Sequence, residues 1–115
     1  MSAFEIVGGQ KLKGEIIPQG AKNEALQILC AVLLTPELVT ISNIPDIVDV
    51  NKLISLLADL GVKVEKISAD TYTFQADNVN IDYLNSPEFK KKGGGLRGSI
   101  MIIGPLLSRF GKGYI

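Results

Sequence analysis

The stretch "IVDVNKLISLLADLGVKVEKISADTYTFQ", Ile47 to Gln75, changes its apolar period once, and that change decides the fold class. Val50, Leu53, Ile54, Leu57 and Leu60 recur at three- and four-residue steps, which puts them on one stripe of a helix from Ile47 to Leu60. Gly61 stands where a helix needs a left-handed residue to stop, so it is expected to cap that helix. Beyond it, "VKVEKI" and "TYTFQ" alternate apolar and polar residues around the turn-prone "SAD", which reads as a hairpin.

Working outward, "LVTIS" (38–42) is a β-branched run that fits a buried strand, and from Lys22 to Leu34 the residues Leu26, Leu29, Val32 and Leu33 keep helical spacing until Thr35-Pro36. "FEIV" and "GEIIPQG" read as short strands, the second ended by Pro18 and Gly20. Residues 12–76 therefore spell strand, helix, strand, helix, strand, strand. This is an α/β unit whose parallel strand pairs need crossover helices, with one helical layer on a small sheet whose other face wants covering. After "NVNIDYL" and the turn residues "NSPE", a third helix is expected from about Leu96 to Leu107, with Leu96, Ile100, Ile103 and Leu107 on one side. Pro105 should end or bend it near Gly104. Tyr114 and Ile115 read as the opening of another strand, so the expectation is an N-terminal piece of something longer.

The chain has 115 residues, 46% of them apolar, which suits one domain with a modest core. Its longest apolar runs, "LQILCAVLL" and "IMIIGPLL", are shorter than the roughly 20 residues of a membrane span. No basic segment followed by an apolar one opens the chain, so the expected address is cytoplasmic, without membrane contact. Histidine is absent, which removes Ser/His/Asp and Cys/His nucleophile systems and leaves Cys30 alone for any thiol metal site, so no metal or cofactor is expected. Cys30 lies among apolar residues and reads as an inert buried thiol. Acid or base chemistry is left to carboxylates, lysine or that thiol.

Net charge is zero but unevenly spread: from Glu88 onward six basic residues face one acid, a tail of +5. An anionic ligand or partner near the C-terminal third follows from that polarity. No aromatic is interleaved with Lys90, Lys91 and Lys92, so nucleic acid is not an expected partner. Within "KKKGGGLRGSI" (90–100), Gly93, Gly95 and Gly98 spell GxGxxG, but "SPEFKKK" is no buried strand and no acidic ribose partner follows about twenty residues on. The glycines then read as a solvated loop, while Arg97 at a helix start can add a fixed charge for an anion. In "GAKNEALQIL" (20–29), Lys22 and Asn23 stand at the first turn of a helix whose leading amides lack partners, which favours an anion there. Taken alone, Asn23 could simply cap the helix and Lys22 could simply be solvated.

At "GAKNEALQILCAVLL", then "NIPDIVDVNKLISLLADLGVKVE", then "LRGSIMIIGPLLSRFGKG", the chain resembles the UDP-N-acetylglucosamine enolpyruvyl transferases of the EPSP synthase superfamily. The resemblance runs in order along essentially the whole chain, and Lys22-Asn23 is like the UDP-sugar enzymes rather than the Lys-Ser pair of EPSP synthase itself. It implies a truncated inside-out α/β barrel of repeated βαβαββ units, an α+β fold. Residues 1–20 would be first strands belonging to the other domain and 21–115 a partial transferase domain, with Gly20-Ala21 as a hinge.

The resemblance further implies transfer of the enolpyruvyl group of phosphoenolpyruvate to the 3-hydroxyl of UDP-N-acetylglucosamine, with phosphate release, in peptidoglycan precursor synthesis. Lys22 and Asn23 would contact phosphoenolpyruvate, Lys22 as the catalytic cation, and Arg97 would bind the UDP-sugar. The proton-donor loop, Pro-Gly-Gly followed by Cys or Asp, would come after Ile115, so 115 residues alone are expected to be inactive and prone to self-association. The lead "SPEFKKKGGG" into Arg97 is longer and richer in glycine than the family's usual one. The competing expectation is a small non-catalytic α/β module that binds an anionic partner through its basic C-terminal third.

Overall fold

A computed structural model describes residues 2–88, 91 and 97–113, with backbone alone at 84 and 97–99. Helix α1 (Lys22–Ala31) tightens into a 3₁₀ turn (Val32–Leu34) and leads to strand β1 (Leu38–Ile41). Helix α2 (Val48–Asp59) then crosses to the hairpin β2 (Lys63–Lys66) and β3 (Tyr72–Gln75). A 3₁₀ segment (Ile81–Asn85) follows, and later a second one (Arg97–Ile102) runs directly into α3 (Ile103–Phe110).

The hairpin and α2 form as the periodicity requires. Val50, Leu53, Ile54, Leu56, Leu57 and Leu60 are all buried. The end of α2 is closed twice: Gly61 N–H donates to Ala58 O and Val62 N–H to Leu57 O, while Gly61 takes φ +106°. That double closure is the Schellman arrangement, in which the buried Val62 also lies near the last helical turn. A Cβ on Gly61 would run into the Asn78 carbonyl, so the position is closed to side chains by space as well as by backbone conformation.

The sheet order is β1-β3-β2, antiparallel throughout. This corrects the expected parallel neighbours: β1 and β2, joined by α2, run the same way, but the returning hairpin strand β3 occupies the slot between them. β1 is accordingly an edge strand, half exposed rather than buried. Val39, Phe74 and Val64 share one cross-strand row, with Phe74 fully buried against the helices. The next row out, Thr40, Thr73 and Glu65, is polar and faces away, so this face of the sheet needs no cover.

Two further expectations are corrected. "FEIV" and "GEIIPQG" form no strands; residues 2–19 are exposed throughout, with Phe4 96% and Ile16 89% accessible. A strand needs a ladder partner, and the described strands pair only with one another. The arm stretches the molecule to a radius of gyration of 17.5 Å, against roughly 13 Å for a compact chain of this length. Pro105 does not end a helix either. It is the third residue of α3, just past the point where 3₁₀ winding (Arg97–Ile102) gives way to α, so the chain changes winding beside it and continues as helix to Phe110. Because residues up to Ile102 wind at three per turn, the apolar face is rotated. Ile102 and Leu106 are buried, whereas Ile100 and Leu107 are exposed.

Candidate functional site

The first turn of α1 is presented by a tight piece of backbone. Gly20 packs under the loop after β1, where any Cβ would collide with the Asn43 carbonyl oxygen and crowd Pro45. Asn43 itself is left-handed, at φ 58°. Gly20 is thus required by close approach, and the chain enters α1 at one fixed place. Ala21 occupies the N-cap with extended backbone and provides no side-chain cap, so the leading amides of α1 have no capping oxygen. Asn23 lies inside the helix and is exposed; it does not cap it.

Lys22 is not simply solvated. Its Nζ lies 2.6 Å from Asp49 Oδ2, with the two side chains 41% and 35% exposed. Asp49 is the second residue of α2, so the ion pair draws the N-termini of α1 and α2 together. Two positive dipole ends and one ammonium converge there, with one carboxylate to orient the ammonium. A half-exposed pair of this kind contributes about 0–1 kcal/mol to folding, so its main consequence is positional. Spacing along the chain could not reveal Asp49, because its partner sits on another helix. The available signal was an acid in the first turn of α2, which alone would be read as a dipole contact.

Arg97 opens the 3₁₀ segment that packs against α1 and α2. Its side chain and the glycine approach 92–96, with Gly93 and Gly95, lie outside the described residues; Lys90 does too, and Lys91 is exposed. The structure therefore brings Lys22 and Asn23 together on α1, and places the backbone of Arg97 in the same helical layer. Arg109, counted in the basic tail, turns inward. Its Nη1 donates to Leu33 O at 3.0 Å, closing the C-terminal end of the α1 turn, and its guanidinium stacks 4.7 Å from the Phe110 ring.

Cys30 is buried, and loss of solvent pushes its thiol up to about 12, so it stays protonated at neutral pH and does not serve as a nucleophile. Among the described residues no group of three or more His, Cys, Asp or Glu could hold a metal ion. No helix among them is long and apolar enough to cross a membrane. A cavity of about 250 Å³ opens beside α1, lined in part by Gly20, Glu24, Ala25, Ile28 and Ile41, on a side that does not include Lys22.

Residues 6–115 match the family model of EPSP synthase (3-phosphoshikimate 1-carboxyvinyltransferase). The chain is 59% identical over its full length to a UDP-N-acetylglucosamine 1-carboxyvinyltransferase of Bacteroides thetaiotaomicron. It is also 59% identical over 96% of its length to the protein of that name from Porphyromonas gingivalis. It spans about a quarter, 26%, of the length of these relatives. Among solved structures it is similar to the enolpyruvyl transferase NikO from Streptomyces tendae, with a TM-score of 0.64 and 26% identity, covering 89% of this chain and 23% of that one.

Proposed function

The chain belongs to the EPSP synthase family, and we propose that it forms the N-terminal part of a transferase moving the enolpyruvyl group of phosphoenolpyruvate to the 3-hydroxyl of UDP-N-acetylglucosamine. The observation that carries this reading is the 59% identity along all 115 residues to an enzyme named for that reaction. The coincidence of Lys22 and Asn23 with the uncapped turn of α1 supports it. On this reading the product enters peptidoglycan precursor synthesis, and the enzyme works in the cytoplasm, where nucleotide sugars are made. The basic-module alternative has less support, since Arg109 is already engaged with Leu33.

The reaction adds the sugar hydroxyl to C2 of phosphoenolpyruvate while a proton goes to its methylene carbon, then expels phosphate as that carbon gives a proton back. Charge is concentrated on phosphate and carboxylate throughout, so stabilisation falls to fixed cations and amide donors. Lys22 offsets phosphate charge with its ammonium, the leading amides of α1 and the Asn23 amide donate to the same oxygens, and Asp49 holds Lys22 in position. Arg97 binds the UDP-sugar. The proton donor belongs to the part of the polypeptide that the relatives have and this sequence does not span. In the complete polypeptide residues 1–20 would belong to the other domain, with Gly20-Ala21 as the hinge between the two.

The test is Lys22→Ala in the complete polypeptide, assayed by phosphate release. Loss of a charged donor to the transition state costs about 10²–10³ in rate, and UDP-sugar binding should persist as a check on folding. Release near the wild-type rate would remove Lys22 from the proposed role.

A further inference from the structure

The loop that joins β1 to α2, residues 42–47, is held along its length. Asn43 and Pro45 lie against Gly20 at the entry to α1. Ile44 N–H donates to Asp70 O in the hairpin turn at 2.9 Å. Asn51 Nδ2 donates to Asp46 Oδ1 at 2.8 Å, which ties the end of the loop to the first turn of α2. The Asn51 N–H also makes the opening backbone bond of that helix, to Ile47 O. Asp49 lies two residues earlier, and positions two apart on a helix point to different sides, so the Asn51 carboxamide is turned away from the Lys22–Asp49 pair. Together these contacts close a ring. Gly20 leads to Lys22, Lys22 pairs with Asp49, Asp49 shares a turn with Asn51, Asn51 holds Asp46, and the loop returns through Pro45 to Gly20.

We propose that Asn51 is a positioning residue for the reaction: by holding Asp46 it fixes the start of α2 against the entry to α1, and so sets where Asp49 holds the Lys22 ammonium. The inference rests on the proposed role of Lys22 and extends it to a residue that does not touch substrate. At Gly20 and Asn43 the ring is fixed by backbone, and at Pro45 by burial. The link from Asp46 to Asn51 is made by two exposed side chains, away from the core. A bond so placed buries no apolar surface, and its effect falls on the orientation of the helix end rather than on packing.

Phosphate release by the complete polypeptide decides the matter. Loss of one hydrogen bond to a carboxylate corresponds to a factor of roughly 3 to 10. Asn51→Ala should lower kcat by that factor, with UDP-sugar affinity unchanged as a check on folding. The exchanged pair, Asp46→Asn with Asn51→Asp, restores the bond with donor and acceptor reversed and should return kcat to within about twofold of wild type. In the Lys22→Ala background, Asn51→Ala should cost nothing further, a result that a merely structural role would not produce. An unchanged kcat in Asn51→Ala, a loss that the exchanged pair does not recover, or an equal loss without Lys22 would each overturn the inference while leaving the transferase reading in place. A wild-type polypeptide that released no phosphate would overturn the reading and the inference together.

Discussion

Phe4 and Phe74 are the same side chain in similar alternating sequence, and one is 96% exposed while the other is wholly buried. "FEIV" and "YTFQ" have comparable strand character. Only the second meets a partner on each side, β1 at Val39 and β2 at Val64, with the helices above it. Alternation sets which face a strand would bury; whether the strand forms depends on an edge being within reach. The arm and the body thus differ in partners rather than in propensity.

The comparison breaks first at Phe74→Ala, which should cost about 3–5 kcal/mol in urea unfolding, since it empties the centre of the sheet's inner face. Gly61→Ala should cost about 1–3 kcal/mol, because it combines a positive φ with a collision at Asn78 O. It tests whether the turn from α2 into the hairpin is fixed by backbone. Arg109→Met should cost about 1 kcal/mol by leaving Leu33 O without its donor while keeping much of the apolar stem. Asp49→Asn should change stability by less than about 1 kcal/mol, while lowering phosphate release in the complete polypeptide through a displaced Lys22. The smallest effect sharpens the contrast: Phe4→Ala in these 115 residues should stay within about 0.5 kcal/mol. A loss comparable to that at Phe74 would show the arm docked in solution and dissolve the distinction.

Much of the body was legible because it is local. The change from a period near 3.6 to a period of 2 at Gly61 foretold α2, its end and the hairpin, and helix-spaced Leu26, Leu29, Val32 and Leu33 foretold α1. What escaped depends on residues far apart. The insertion of β3 between β1 and β2 is a choice of slot that alternation does not encode. Pro105 signals an end or a bend, and the winding does change just before it, from 3₁₀ to α; that the helix then continues to Phe110 depends on packing, which the ring does not encode. At the proposed site, the family resemblance points to Lys22 and Asn23, whereas the 2.6 Å pairing of Lys22 with Asp49 arises only when two helix ends meet.

The bond from Arg109 to Leu33 O joins residues 76 positions apart, and it orders events during synthesis. At roughly 5–20 residues per second, about 4 to 15 seconds separate the making of Leu33 from the making of Arg109. The α2 hairpin can close as soon as Gln75 has emerged, but the end of α1 must wait, its carbonyl served by water. A growing chain on the ribosome therefore holds a finished hairpin beside an open helix end, and the arrival of α3 is the step that seals it.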